Sequence, residues 1–283
     1  MIIAITGATG LIGKAFIKKY EKKYKIVAIS RRKDEPGYVY SDFSYASLNE
    51  IFRKVDSLIH LAGERLHKLE STDEEADLDK KVLMAAKNAG LKNIVYASSR
   101  GVYGNSHSPW DESNKIAPNN LYALKKAQSE LLCNYLNEQH DMRIKCLRIA
   151  QVLSENEYTG SMIRVFLDRA SKSENLHVSA TGIVREYIYL TDLIEGINKA
   201  ISNSNKFGVF NLGSGRGVSI LEIAETIAEV FNNGCEVIVD DELVELHENS
   251  LMKVDLFKTT FNWSPRFTFK SAIEDIKRNI LGE

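Results

Sequence analysis

"MIIAITGATGLIG", residues 1–13, decides the fold. "IIAIT" is a short apolar run rich in β-branched residues, and it enters a glycine turn at once instead of continuing as an apolar stretch. Without a basic leader and without a long apolar core, it reads as a first strand, not a signal peptide. Gly7, Gly10 and Gly13 then stand between that strand and a helical pattern. In this position glycines let backbone approach a pyrophosphate, while the helix N-terminus supplies N–H donors and a partial positive charge. Thr9, Leu11 and Ile12 belong to the same turn, and with the three glycines they form the expected dinucleotide-binding edge.

Outward from this stretch, strands and helices alternate. "KIVAIS", "YVYSD", "SLIHLAG", "NIVYASS" and "RIKCLRIA" are separated by helical patterns, including helices at about 47–53, about 73–89 and up to about 139. That alternation predicts right-handed β-α-β units and an α/β, Rossmann-type doubly wound parallel sheet. After residue 150 the rhythm loosens into a helix at 161–172, strands at "REYIYL" and "VFNLG", and helices near 219–231 and 270–280. The expected organisation is a dinucleotide-binding domain over 1–153 with a returning segment of about 184–213. A smaller mixed α/β substrate-binding lobe takes about 154–183 and 214–283.

The bulk numbers exclude several functions. A 283-residue chain with 44% hydrophobic and 27% charged residues is long enough for a large core. A net charge of -1 gives no reason to expect nucleic acid or an anionic membrane as partner, and no apolar run approaches a bilayer span. The basic cluster Lys18, Lys19, Lys22, Lys23 and Lys25 reads as a solvated helix face. Three cysteines without metal spacing and six unclustered histidines predict free thiols, a cytoplasmic location and no metal site.

The end of the second strand bears on the cofactor. Where NAD-binding folds usually carry an acid for the adenosine ribose, this chain has Ser30, Arg31 and Arg32. A guanidinium binds a 2′-phosphate with charge-assisted bonds worth roughly 1.5–3 kcal/mol, so NADP(H) is favoured, with NAD(H) the alternative. Asp42, after the third strand, offers a carboxylate to the adenine amino group, with Phe43 beside it. Leu61, Ala62 and Gly63 end the fourth strand in mostly small residues that permit close approach.

"LYALKK", residues 121–126, sets Tyr122 ahead of two lysines. Such a spacing arises about once by chance in a chain this rich in lysine, so its meaning comes from its surroundings. Gly7-x-x-Gly10-x-x-Gly13, then Asp42, "HLAG" (60–63), "SSRGVYG" (98–104) and Tyr122-x-x-x-Lys126 come in an order that resembles the extended short-chain dehydrogenase/reductases. Within them the chain is similar to the NAD-dependent epimerase/dehydratase family, and to its nucleotide-sugar 4-epimerases in particular. "LRIA" (147–150), "GIVREYIYLTDL" (182–193), "FNLGSG" (210–215) and "FNWSPRF" (261–267) extend the likeness over nearly the whole chain.

The resemblance implies an enzyme with Ser99, Tyr122 and Lys126 as catalytic residues, Tyr122 and Lys126 also touching the cofactor. Physical chemistry is consistent with these roles. A phenol ionises near pH 10, so working near neutrality costs roughly 4 kcal/mol. One ammonium about 4 Å away at an effective dielectric of about 20 supplies about that much. On a helix the fourth residue onward lies about 40° from the first and the third about 60° off, which favours Lys126 over Lys125. Ser98 competes with Ser99, and the family's register against "VYG" favours Ser99.

For the substrate, the resemblance assigns Arg185 to the diphosphate of a nucleotide sugar, with Ser99, Arg100 and Gln151 near the sugar. The chain departs from UDP-galactose 4-epimerases in three places. "LHENSLMKVDLF" lacks their late Arg-x-Gly-Asp stretch, "YTGSMIR" replaces an Asn-Asn-Leu-type turn, and "DEEAD" stands where a helix asparagine is common. Arg100 and Gly101 in place of an Asp-Glu pair argue against 4,6-dehydration. Epimerisation at C4 leads narrowly. NADPH-dependent reduction of a 4-keto nucleotide sugar or another small carbonyl is the alternative, and a non-catalytic NADP sensor is a further one. The family also implies a homodimer, with Leu124, Leu131, Leu132, Tyr135 and Leu136 as candidate contacts.

Overall fold

The computed structural model describes residues 1–63, 78–104, 106–158 and 160–282, with backbone alone for residue 181 and residues 241–248. The expected "DEEAD" helix start, at 73–77, lies outside the described residues. Within the described residues, a parallel sheet is built from β1 (Ile2–Thr6), β2 (Lys25–Ser30), β3 (Val39–Tyr40), β4 (Ser57–His60), β5 (Asn93–Ser99), β6 (Arg143–Ile149) and β9 (Gly208–Leu212). Their spatial order is β3-β2-β1-β4-β5-β6-β9. The order reverses between β1 and β4, so the crevice at the carboxyl ends of those two strands is where such a sheet takes its ligand.

Both faces are covered, which explains why the central strands are apolar on alternate and consecutive positions alike. Ile3, Ile5, Val95, Leu147 and Ile149 face one core, shared with α1 (Leu11–Tyr20) and α6 (Leu190–Ser202). Ala4, Leu58, Ile94 and Tyr96 face the other, under α2 (Tyr45–Phe52), α3 (Leu78–Asn88) and α4 (Leu121–His140). Helix α6 buries Leu190, Leu193, Ile194, Ile197 and Ile201, a stripe at helical spacing. Each such side chain contributes about 1.5–3 kcal/mol of burial.

A smaller sheet forms around β8 (Leu176–Tyr189), which pairs with β7 (Gln151–Leu153), β10 (Gly217–Ser219) and β11 (Val237–Ser250). On one face it carries a third core with α5 (Met162–Ser171), α7 (Ile220–Phe231) and α9 (Phe269–Leu281). Two pieces sit differently from the sequence reading. Residues 184–189 pair with β7 and β10, so the stretch that returns to the large sheet starts at Leu190 rather than about 184. Helix α8 (Asp255–Phe261), expected in the smaller lobe, packs Phe257 and Phe261, with Trp263, into the core of the large sheet. Phe210 of β9 provides the attraction, with its ring centroid 4.9 Å from that of Phe261.

Candidate active site

The glycine turn is fixed by contacts only glycine tolerates. Gly7 has φ +69°, and a Cβ there would lie 2.7 Å from the Leu61 carbonyl carbon and the Ala62 nitrogen. A Cβ on Gly13 would lie 2.5 Å from Gly7 O. Strand ends β1 and β4 are therefore in direct backbone contact, which brings Gly7, Leu61, Ala62 and Gly63 to one edge. Helix α1 starts at Leu11 with Gly10 as its N-cap and no side chain covering its first N–H groups. Thr9, Leu11 and Ile12 lie at this open helix end, the place an anionic group is favoured.

At the end of β5 the two serines separate. Ser98 is buried and its hydroxyl donates to Glu130, which in turn holds Arg148 at 2.7 Å. Ser99 is only half-buried and its Oγ accepts from Gly101 N at 3.1 Å, capping the 3-10 turn Arg100–Tyr103. Ser98 belongs to a buried network; Ser99 keeps its own proton to give. A Cβ on Gly101 would sit 3.3 Å from Ser99 Oγ and 3.7 Å from Ala123 Cβ, so the first turn of α4 packs against the glycine that this serine caps. Tyr122 lies in that turn, half-buried, and Asn120 caps it by accepting from Ala123 N at 2.9 Å.

Lys126 is buried and Lys125 half-buried. The Lys126 ammonium lies 3.5 Å from where a Cβ on Gly63 would be and 4.6 Å from the centre of the Tyr96 ring. It also lies 3.5 Å from Asp79 Oδ2, a partner absent from the sequence reading. Asp79 further accepts from Tyr96 OH and from Ser129 Oγ at 2.9 Å, and its Oδ1 is 3.1 Å from His60 Nε2. His60, fully buried, completes the chain through Nδ1, 2.7 Å from Thr6 Oγ1. Burial opposes ionisation of Asp79, but Lys126 and His60 overcome it and hold the carboxyl well below the usual carboxylate range. Burial, then the Asp79 charge, pushes the Tyr96 phenol well up, which keeps it a donor. The only sequence signal for Asp79 was a carboxylate on the helix before β5. Its pairing depends on three segments far apart in the chain.

The adenosine edge differs from expectation. Ser30 Oγ donates to Glu35 Oε2 at 2.8 Å, and Arg32 Nη1 lies 3.7 Å from Glu35 Oε1. A carboxylate thus stands among the residues read as a phosphate site; Arg31 follows Ser30 at the same strand end, exposed. Asp42 is exposed and its Oδ1 accepts from Ser44 N at 2.9 Å, a turn role that lowers its pKa. Phe43 buries its ring in the core beside Leu48, and its N–H donates to Ser41 Oγ at 3.0 Å.

Toward the smaller lobe, Arg100 Nη2 donates to Gln151 Oε1 at 3.3 Å, so two expected substrate residues meet. Arg185 lies half-buried on β8, opposite Val218 and Ser250 in register. Next to it in sequence, Glu186 accepts from Gly215 N at 2.8 Å and Met252 N at 2.7 Å. Burial raises this carboxyl to about 7, against those N–H groups and the Arg100 charge. Among the described residues no group of three or more metal-ligating side chains occurs, and no helix is long and apolar enough to cross a membrane.

The chain has matches among known proteins. A family model described as the NAD dependent epimerase/dehydratase family covers residues 3–213. The dTDP-4-dehydro-6-deoxyglucose reductase of Escherichia coli is 24% identical over 98% of this chain and 97% of its own. The crystal structure of a UDP-N-acetylglucosamine 4-epimerase from Bacillus cereus superimposes with a TM-score of 0.91 at 27% identity, covering 100% of both chains. A UDP-N-acetylglucosamine 4-epimerase from Methanobrevibacter ruminantium M1, in complex with UDP-N-acetylmuramic acid, gives a TM-score of 0.85 at 22% identity over 99% and 98%.

Proposed function

The chain belongs to the NAD-dependent epimerase/dehydratase family, NAD(P)-dependent enzymes of the extended short-chain dehydrogenase type, and from that premise we propose that it epimerises a nucleotide sugar at C4. Tyr122 takes the proton of the C4 hydroxyl, Ser99 hydrogen-bonds the same oxygen, and Lys126 orients the nicotinamide ribose and favours the phenolate. A nicotinamide dinucleotide held at the glycine turn of Gly7, Gly10 and Gly13 would supply reversible hydride transfer at C4, which is what inversion there needs. Arg100, Gln151 and Arg185 serve the sugar and its phosphates, and the planar guanidinium fork suits two phosphate oxygens.

The observation that carries this reading is the burial of the Lys126 ammonium against Gly63, one helical turn beyond Tyr122 and on the ligand side of the sheet. A second reading, reduction of a 4-keto nucleotide sugar by NADPH, is favoured by Ser30, Arg31 and Arg32. An epimerase recycles its nicotinamide and retains it; a reductase consumes it. Purified protein should carry bound nicotinamide and interconvert UDP-sugar C4 epimers without added cofactor. Protein that is empty as purified and turns over only with added NADPH and a 4-keto sugar would favour the reductase. Exposed Leu124, Leu131 and Tyr135 on α4 support a homodimer, and three buried free thiols support a cytoplasmic location.

A further inference from the structure

The turn after β2 curls back on itself. Asp34 takes the left-handed region at φ +60° and Gly37 at φ +82°, and Tyr38 N donates to Glu35 O at 3.1 Å. The fold of this turn returns Glu35 to the carboxyl end of β2, where the adenosine ribose of a bound dinucleotide lies in such sheets. There Ser30 Oγ donates to one carboxylate oxygen at 2.8 Å, and Arg32 Nη1 lies 3.7 Å from the other. Ser30 Oγ is also tied down by Arg32 N at 3.1 Å. The Ser30 hydroxyl and the Arg32 charge, groups that a 2′-phosphate would use, are already engaged by an anion of the protein's own. Glu35 is roughly twenty residues past the glycine turn, the spacing at which an acid bonds the ribose 2′-hydroxyl. The strand-end reading missed it because the acid arrives from within the loop.

We infer that Glu35 sets the cofactor preference: its carboxylate occupies the 2′-phosphate position and accepts from a ribose 2′-hydroxyl, so the protein takes NAD(H) over NADP(H). A 2′-phosphate entering here meets a like charge and loses Arg32 to it, whereas a 2′-hydroxyl gains an acceptor. This rests on the reading that the glycine turn holds a nicotinamide dinucleotide, and it opposes the expectation drawn from Ser30-Arg31-Arg32 alone.

The test is binding, with no sugar substrate. Dissociation constants for NADH and NADPH are measured by nicotinamide fluorescence, with ADP and 2′,5′-ADP as competitors, for wild type and Glu35→Gln. The amide keeps the acceptor for Ser30 and removes the charge. Wild type is expected to bind NADH more tightly than NADPH, with 2′,5′-ADP no better a competitor than ADP. In E35Q, NADPH and 2′,5′-ADP should tighten at least about tenfold and NADH change less than about threefold. Wild-type preference for NADPH, which needs no variant to measure, would overturn the inference, as would an unchanged NADH/NADPH ratio in folded E35Q. Binding of neither nucleotide would instead sink the cofactor reading on which it stands.

Discussion

Tyr122 and Lys126 illustrate what one residue does and what its neighbours decide. Replacing Tyr122 with Phe removes the proton-transfer group and leaves the packing of the α4 first turn, so kcat should fall at least about a hundredfold with little change in melting temperature. Steady-state turnover beside a thermal melt checks both halves. Asp79 matters because its carboxylate, 3.5 Å away, pairs with the buried Lys126 ammonium. In Asp79→Asn that charged partner is lost, and kcat should fall at least about tenfold while KM changes less; Asp79→Glu, which keeps the charge, should retain most of the activity. An unchanged kcat in folded D79N would show that Asp79 has no part in positioning Lys126. The sequence pointed to Tyr122, Lys126 and Ser99 through the family resemblance, with helical spacing favouring Lys126 over Lys125. It could not name Asp79 or Glu35, whose partners are assembled by folding.

At the scale of elements, two buried lysines separate position from chemistry. Lys126, at the ligand end of the sheet, has a carboxylate. Lys145, near the start of β6, is fully buried and donates to Asn93 Oδ1 at 2.6 Å and Asn203 O at 3.3 Å, with no carboxylate partner among the described residues. Burial, and then Arg143, lowers its pKa to about 7. The folded state therefore binds fewer protons than the unfolded chain between about pH 7 and the ordinary lysine value near pH 10.4. Stability at this site rises with pH across that window and is lowest, and flat, below about pH 7. Urea unfolding of wild type against Lys145→Met should show wild type gaining up to about 1.4 kcal/mol per pH unit between pH 7.5 and 9.5. Parallel curves would contradict a neutral Lys145. The strands themselves were legible from "IIAIT" to "RIKCLRIA", because buried parallel strands are apolar throughout. Strand β11 and helix α8 were not, since "VIVDDELVELHENS" is charged along its length and α8 is only seven residues long.

For the whole molecule, the exposed stripe Leu124, Leu131 and Tyr135 on α4 sets the expected assembly. Of the five residues the sequence grouped here, some of which must also cover the sheet, Leu132 and Leu136 are the ones that do: Leu136 is fully buried and Leu132 packs against the same core. Leu131→Glu should convert a dimer to a monomer in light scattering at micromolar concentration while leaving the far-UV spectrum unchanged, because its side chain is 65% exposed in the single chain. A wild-type monomer would rule out this surface as an interface. The amino-acid sequence alone determined the α/β class, the dinucleotide edge and the family, since glycine spacing, strand periodicity and Tyr-x-x-x-Lys are local patterns. Tertiary structure alone decided which serine stays free, that Asp79 and His60 tie Lys126 to Thr6, that Phe43 is core and that Glu35 sits on Ser30. Most of these depend on distance between segments remote in the chain, and Glu35 on how one loop turns back; neither a hydrogen bond nor a charge pair can be assigned until folding sets that distance.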